Sequence, residues 1–395
     1  MTTSAAKTSR RPVPLRWLRG WITRLLARPL RREPGARAFR AALVKVDRLG
    51  DFVLAVSAIR RALAHYGAEQ CLLVISPQVE PFAAREFPRT PRLVLPPAVG
   101  HKRLLGEGRK ARRLLRGISC EEVVCFRHQR WDWDELLLLW LGGRRCHVLD
   151  DAGNRELFAA QNTYVFPARE RVEFVLPPPA PETPGGPRGC RELEMHRQLL
   201  AAVTGRAVNL EEILPRFEQI GSGAVATRIV VAPLGSDPIR DFPAALLVEA
   251  LRALRTQSSS PVALVGDPSQ RPRLLQLVEV LRAAGLTNVE CAAPMSVVEF
   301  AEAVAQAELV LTVETSTAHL AAAFDRPAVV LIGGGHFGQF GPWRRSARQV
   351  WVTQAMDCFG CNWRCIHPAP YCLTRIAPKA LQDAVAQARR EGATP

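Results

Sequence analysis

At 395 residues, 48% hydrophobic and 23% charged, the chain has the make-up of a folded globular protein and the length for two domains with full cores. No apolar run is long enough to cross a bilayer, and the N-terminus lacks the uninterrupted apolar core of a cleaved secretory signal. The ten cysteines therefore read as cytosolic thiols or metal ligands, not a disulfide framework, and the formal charge of +16 points to an anionic partner.

That charge is concentrated at the start. The first forty residues carry eleven lysines and arginines against Glu33 alone. Within them Leu15, Leu18, Ile22, Leu25 and Leu26 recur at helical spacing, with Trp17 and Trp21 beside them. The pattern predicts an amphipathic helix within residues 15–32 lying on an anionic inner-membrane surface. A disordered basic tail, or a helix docked on its own domain, has the same composition. No nucleic-acid-binding module follows, so a nucleic-acid partner is not expected.

From Ala41 strand and helix alternate. Ala41–Val46 reads as a strand, Asp51–His65 as a helix and Cys71–Ile75 as a strand; after a Pro-rich passage come a basic helix at Gly106–Gly117, a strand at Glu122–Phe126 and an apolar helix at Trp133–Leu141. Leu176–Gly189 is too rich in Pro and Gly for either element and reads as a linker, and a helix at Arg191–Thr204 closes the half. The second half restarts with strands at Arg228–Ala232, Val262–Val265 and Asn288–Cys291 and helices at Pro243–Thr256, Pro272–Ala284 and Val297–Gln306. A strand at Leu309–Val313, a helix and a strand at Ala328–Ile332 follow, and a last helix at Lys379–Arg390 is expected to pack back across the first domain. The expectation is α/β: two Rossmann-like, doubly wound domains facing a cleft. The divisions expected are a basic segment over 1–40, domains over 41–225 and 226–376, and a C-terminal helix and tail over 377–395.

The chemistry is expected where strands end. Gly50 permits a tight turn after the first strand and sets Asp51 at a helix start, where it is either a first-turn acid complementing the dipole or a general base facing the cleft. After Arg228–Ala232 come Gly235 and Ser236, then Arg240, whose fork suits a diphosphate. Glu314, Thr315, Ser316 and His319 span a strand-to-helix turn suited to a phosphate, and Gly333 and Gly334 begin a glycine-rich loop in which backbone can approach a ligand.

In this order, Leu49-Gly50-Asp51, Pro233-Leu234-Gly235-Ser236, Arg240-Asp241-Phe242-Pro243, Val265-Gly266-Asp267-Pro268, Glu314 to Ala323 and Gly333 to Trp343, the chain resembles glycosyltransferase family 9, which contains the ADP-heptose:lipopolysaccharide heptosyltransferases. The likeness spans Ala41 to about Ile376. It implies a GT-B fold, with the acceptor on the first domain and the nucleotide-sugar on the second. It also implies that Asp51 is the base that deprotonates the acceptor hydroxyl, that Arg240 stands for the family's lysine on the departing diphosphate, and that Met295 packs near adenine. Glu314 replaces the usual aspartate and Ser316 a glycine. Arg127, His128 and Arg130, after the strand at Glu122–Phe126, are expected near the cleft, within reach of acceptor phosphates or carboxylates.

Cys358, Cys361, Cys365 and Cys372 crowd into one segment. They read either as packed thiols or as a structural zinc or iron site; relatives that glycosylate autotransporter proteins resemble this in carrying four-cysteine iron. The resulting expectation is a cytoplasmic enzyme, peripheral on the inner membrane and needing no cofactor for catalysis, that moves a heptose from an ADP-sugar to an anionic glycolipid. A protein heptosyltransferase, a non-catalytic nucleotide-sugar-binding relative and a basic membrane adaptor are the alternatives.

Overall fold

The computed structural model describes residues 21–23, 25–96, 101–127, 130–150, 171–173, 190–221, 228–292, 295–343 and 348–392. The expected linker at Leu176–Gly189 and the candidate His128 lie outside them.

Six parallel strands make the first sheet: β1 (Arg37–Lys45), β2 (Cys71–Ile75), β3 (Arg92–Val94), β4 (Ile118–Cys125), β5 (Arg145–Asp150) and β6 (Arg171–Glu173), in the order β3-β2-β1-β4-β5-β6. The helices with it are α1 (Leu49–Tyr66), α2 (Glu80–Glu86), α3 (His101–Arg116), α4 (Asp132–Leu141) and α5 (Arg191–Thr204). The second sheet is again parallel: β7 (Arg228–Ala232), β8 (Val262–Leu264), β9 (Val289–Cys291), β10 (Ala307–Val313), β11 (Ala328–Leu331) and β12 (Gln349–Val352), in the order β12-β11-β10-β7-β8-β9. Its helices are α6 (Ala244–Arg255), α7 (Arg271–Ala283), α8 (Val297–Ala305), α9 (Ser316–Ala323), α10 (Tyr371–Thr374) and α11 (Pro378–Gly392).

The near-continuous apolar runs of β1, β2, β7, β10 and β11 are what a parallel sheet covered on both faces requires. Each sheet reverses direction at one pair, β1/β4 in the first and β7/β10 in the second. The loops after those strands are where ligands of open α/β sheets bind.

The halves are joined by packing. One apolar cluster runs from α1 and α5 through Ile213 and Ile220 to Ala318, Leu320 and Ala321 of α9. The Arg191 and Glu192 amides at the start of α5 donate to the carbonyls of Gly338 and Gln339 in the other half, both at 3.0 Å, and Arg85 pairs with Glu302 at 2.8 Å.

Two expectations change. α11 packs on the second half, where Leu381, Ala384, Val385 and Ala388 join the core of β10, β11 and α6, and Arg389 pairs with Glu308 at 2.6 Å. Its apolar stripe fits either half, and only the tertiary contact decides. The apolar side of the N-terminal segment, helical at 21–23 and 25–26, is buried in its own domain: Ile22 and Leu26 pack with Leu104, Ala111, Leu115 and Trp140. Leu15 and Leu18 lie outside the described residues.

Candidate active site between two helix N-termini

On the first wall, Lys45 ends β1 inside the protein. Its ammonium donates to Asp47 at 3.0 Å, Glu192 at 3.1 Å and the Phe126 carbonyl at 3.0 Å, so all three protons have acceptors. Burial opposes its charge, but Asp47, Glu192 and Asp51 outweigh that and hold its pKa above the ordinary lysine range. Asp47 also receives Arg127 at 2.6 Å, and Arg127 reaches on to both carboxylate oxygens of Asp134 at 2.7 and 2.9 Å. Burial works against the Asp47 carboxylate, yet Arg127 and Lys45 keep it ionised below its usual range. The line Glu192–Lys45–Asp47–Arg127–Asp134 thus spans the reversal point between β1 and β4. Arg130 is buried, donating from Nε to Glu135 at 2.8 Å and from Nη1 to the Leu149 carbonyl. Of the three candidates for acceptor contact, Arg127 stands part-exposed at the strand end and Arg130 is turned into the core.

Asp51 sits in the first turn of α1, which starts without a side-chain cap. A Cβ added at Gly50 would lie 3.4 Å from the backbone N and Cα of Ser316 and 3.6 Å from the His319 ring. The start of α1 thus rests on the start of α9, with room at Gly50 for no more than a methyl group. Two helix N-termini, one from each half, therefore meet across the cleft.

The second wall surrounds that contact. Arg240 donates from Nη2 to the Glu314 carbonyl at 2.6 Å and from Nη1 to Ser236 Oγ at 3.4 Å, and its guanidinium lies 5.4 Å from the centroid of Trp363. Gly235 makes room for Arg240, whose Cβ is 2.7 Å from where a side chain would start, and its amide donates to Asp241 at 2.9 Å. The Glu314 carboxylate is buried, with neither oxygen hydrogen-bonded and the nearer 4.0 Å from Arg240. Burial pushes its pKa up to about 8 against the pull of Arg240, so it is largely neutral at neutral pH. Thr315 precedes α9, its hydroxyl 3.3 Å from the Val313 carbonyl, and Ser316 opens the helix. His319 accepts from Trp343 Nε1 at 3.2 Å; burial, helped by Arg240, pushes its pKa down to about 3 and keeps the ring neutral. Met295 packs against the cluster that joins the halves.

Gly333, Gly334 and Gly335 have a local explanation. A Cβ on Gly333 or Gly335 would collide with the Trp363 ring, and one on Gly334 with Phe359. The cysteine segment lies on this loop, tied by Gly360 N to Gly334 O at 2.8 Å, Asn362 N to Gly335 O at 3.0 Å and His336 Nε2 to Asn362 Oδ1 at 2.7 Å. Sequence reading missed Lys45, Asp47, Glu192 and Trp363. A lysine and an aspartate closing an otherwise apolar strand were a signal for the first two; nothing local marks the others.

The model of glycosyltransferase family 9 (heptosyltransferase) matches residues 209–366, which hold β7 to β12 and the second wall. The second half of the chain is thus similar to glycosyltransferase family 9. No curated protein sequence matches. Among solved structures, the E. coli heptosyltransferase WaaC with ADP aligns at TM-score 0.62 and 18% identity over 89% of this chain and 100% of its own. A family 9 glycosyl transferase from Veillonella parvula aligns at 0.63 and 13% over 91% and 99%. The iron-containing dodecameric glycosyltransferase TibC from enterotoxigenic E. coli aligns at 0.50 and 12% over 92% and 78%. The likeness shows that the chain has the GT-B fold.

The TibC likeness invites a test of the cysteines. Cys361 and Cys365 hydrogen-bond through their side chains, and Cys358 and Cys372 add to the field that, with burial, raises the Cys365 pKa. Yet among the described residues no three His, Cys, Asp or Glu side chains are grouped so as to hold a metal ion, and all ten thiols are free. The thiols neighbour one another without forming a ligand set.

Proposed function

We propose that this chain is an inverting glycosyltransferase of family 9 that moves a heptose from ADP-heptose to a hydroxyl of an anionic, lipopolysaccharide-core-like glycolipid, working at the cytoplasmic face of the inner membrane. The observation that carries the reading is the seating of Gly50 on Ser316, which brings the helix start that holds Asp51 against a phosphate-suited turn of the second half. In the reaction Asp51 takes the proton of the acceptor hydroxyl, the oxygen attacks the anomeric carbon from the face opposite the diphosphate, and the bond from that carbon to the diphosphate oxygen breaks. Arg240 and the N-terminus of α9 meet the charge that grows on the leaving ADP. A neutral Glu314 supports this step, since it adds no negative charge beside the diphosphate and can donate to an oxygen of the donor. Thr315 and Ser316 offer hydroxyls and amides to the phosphates, Ser236 and Gly235 line the same side, and Met295 is the side chain assigned in this reading to pack on the base.

A protein acceptor is the second reading. It draws on the likeness to TibC, and it predicts transfer to a polypeptide acceptor and a large oligomer, read by transfer assay and particle size.

Calorimetry of the purified chain with ADP, UDP and GDP, beside the Asp51→Ala variant, tests the first reading. Selective ADP binding, kept within about twofold in the variant while transfer falls by about a hundredfold or more, is the expected result. Preference for UDP or GDP would move the donor away from ADP-heptose. Absence of nucleotide binding would overturn the assignment of the second wall.

A further inference from the structure

The N-terminal segment lies as a strap across α3 and α4. Thr23 Oγ1 donates to Asp132 at 3.3 Å, and Trp140 Nε1 to the Leu26 carbonyl at 3.2 Å. Arg112 holds the carbonyls of Leu26 and Arg28, both at 2.9 Å. Arg32 reaches the carbonyls of Leu115, Trp140 and Leu141 at 2.7, 2.6 and 2.5 Å. The strap runs beside α3 as far as Glu33, whose amide donates to the Arg116 carbonyl at 3.0 Å.

Because Ile22 and Leu26 face inward, their neighbours Trp21 and Leu25 face out, 54% and 45% exposed. On the adjoining elements Leu114 is 52% exposed and Trp131 41%. Between and around them stand the exposed cations Arg28, Arg31, Arg109, Lys110, Arg113 and Arg116. The acids of the strap and α3 are few: Glu33, and Glu107 paired with Lys110 at 3.4 Å. The strap's contact with Asp132 brings the stretch bearing Trp21 to the start of α4, where Trp131 precedes the helix. That start follows β4 and lies five residues beyond Arg127, at the rim of the first wall.

We propose that this face, built by the outward side of the strap and the exposed side of α3, docks on an anionic phospholipid bilayer with the rim of the first wall toward the membrane. Cations gather anionic headgroups, while Trp21, Leu25, Leu114 and Trp131 enter the interfacial layer. Charge alone would suit any polyanion. The aliphatic Leu25 and Leu114 gain nothing from a phosphate backbone and do gain from acyl chains, which selects the bilayer. The apolar stripe read from the sequence is thus used inside the protein, and the opposite side of the same segment meets lipid. The inference rests on the lipid-linked acceptor proposed above for its purpose, but vesicle binding is read without donor or acceptor, so the two fail separately.

The test is sedimentation of the full chain with vesicles of phosphatidylcholine alone and of phosphatidylcholine with phosphatidylglycerol. The first variant carries Arg109→Glu, Lys110→Glu and Arg113→Glu; the second carries Trp21→Ser and Leu25→Ser. Both alter exposed side chains, and thermal unfolding and ADP calorimetry serve as controls for the fold. The expected result is binding only to the anionic vesicles, weakened about tenfold or more by the charge reversals, and weakened several-fold by the serine changes even in high salt. Binding by both variants equal to the parent's would overturn the proposal, as would no binding to anionic vesicles. So would charge reversals that abolish binding to duplex DNA while leaving vesicle binding intact.

Discussion

Asp47 and Asp51 share one turn, and their surroundings divide their tasks. Asp47 is committed to Lys45 and Arg127, whose charges hold it ionised and make it a poor proton acceptor. Glu314 is the other carboxylate whose setting decides its role. Its pKa is about 8 when folded against an ordinary 4.5, so as pH rises the unfolded chain releases this proton first. Glu314 therefore lowers folded-state stability progressively between 4.5 and 8, with no further loss above. His319 acts in the opposite sense at lower pH: folded at about 3 against an ordinary 6.5, it makes stability rise as pH climbs between those values. Glu314→Gln should remove only the first effect. Urea midpoints of parent and variant should coincide near the acid end of the window and diverge, variant higher, toward its alkaline end, with ADP binding preserved because the site already presents a neutral group. Parallel profiles would mean that Glu314 is ionised and hydrated. None of this was legible beforehand. The sequence showed a longer acid in place of an aspartate, but its burial depends on packing between halves. Lys45 is similar: it stands in an apolar strand, and its partner Glu192 is 147 residues away.

At the scale of elements, the long strands and helices were readable because the apolar period persists for several turns or residues. Cys71–Ile75, Arg191–Thr204 and Arg228–Ala232 fall where their patterns place them. β3, β6 and α2 were not readable, since elements of three to seven residues carry too little period to stand out from a Pro-rich passage. Glycines were legible as close approaches but not as to what approaches. The run at Gly333 receives Trp363 and Phe359, while the single Gly50 joins the two helix starts. That joint makes a sharp prediction. Gly50→Ala puts a methyl at ordinary contact distance from Ser316 and should be tolerated, with stability changed by less than about 1 kcal/mol. Gly50→Val adds branches that α9 cannot clear, pushing the helices apart. Transfer should fall by about a hundredfold while ADP affinity stays within a few-fold, because misplacement of about 1 Å costs that much in an oriented reaction. Steady-state kinetics beside calorimetry reads both; equal loss of transfer in Ala and Val would mean the joint does not set the geometry.

For the whole molecule, the strap changes what a truncation means. A basic amphipathic leader read from sequence is an appendage, and removing it would merely loosen membrane attachment. Here Ile22 and Leu26 cover Leu104, Ala111 and Trp140, and the Leu26 and Arg28 carbonyls receive Trp140 and Arg112. Deleting residues 1–30 therefore exposes an apolar face of the first domain and leaves a buried indole N–H and a guanidinium without their acceptors. Two fully buried aliphatic side chains are worth about 1.5–3 kcal/mol each and a lost hydrogen bond to a buried donor about 1–3, so the domain should lose several kcal/mol. That is a large part of what holds a domain of this size folded. The second domain should be spared, since the contacts of the strap's described residues fall within the first domain. Calorimetric scanning of the truncated chain should show one transition moved down by about 10 °C or more and one in place, with dye binding to newly exposed apolar surface. A single unshifted transition would mean the strap is not integral to the domain. The serine and charge-reversal variants leave the strap seated, which is why they, and not a deletion, read the membrane contact.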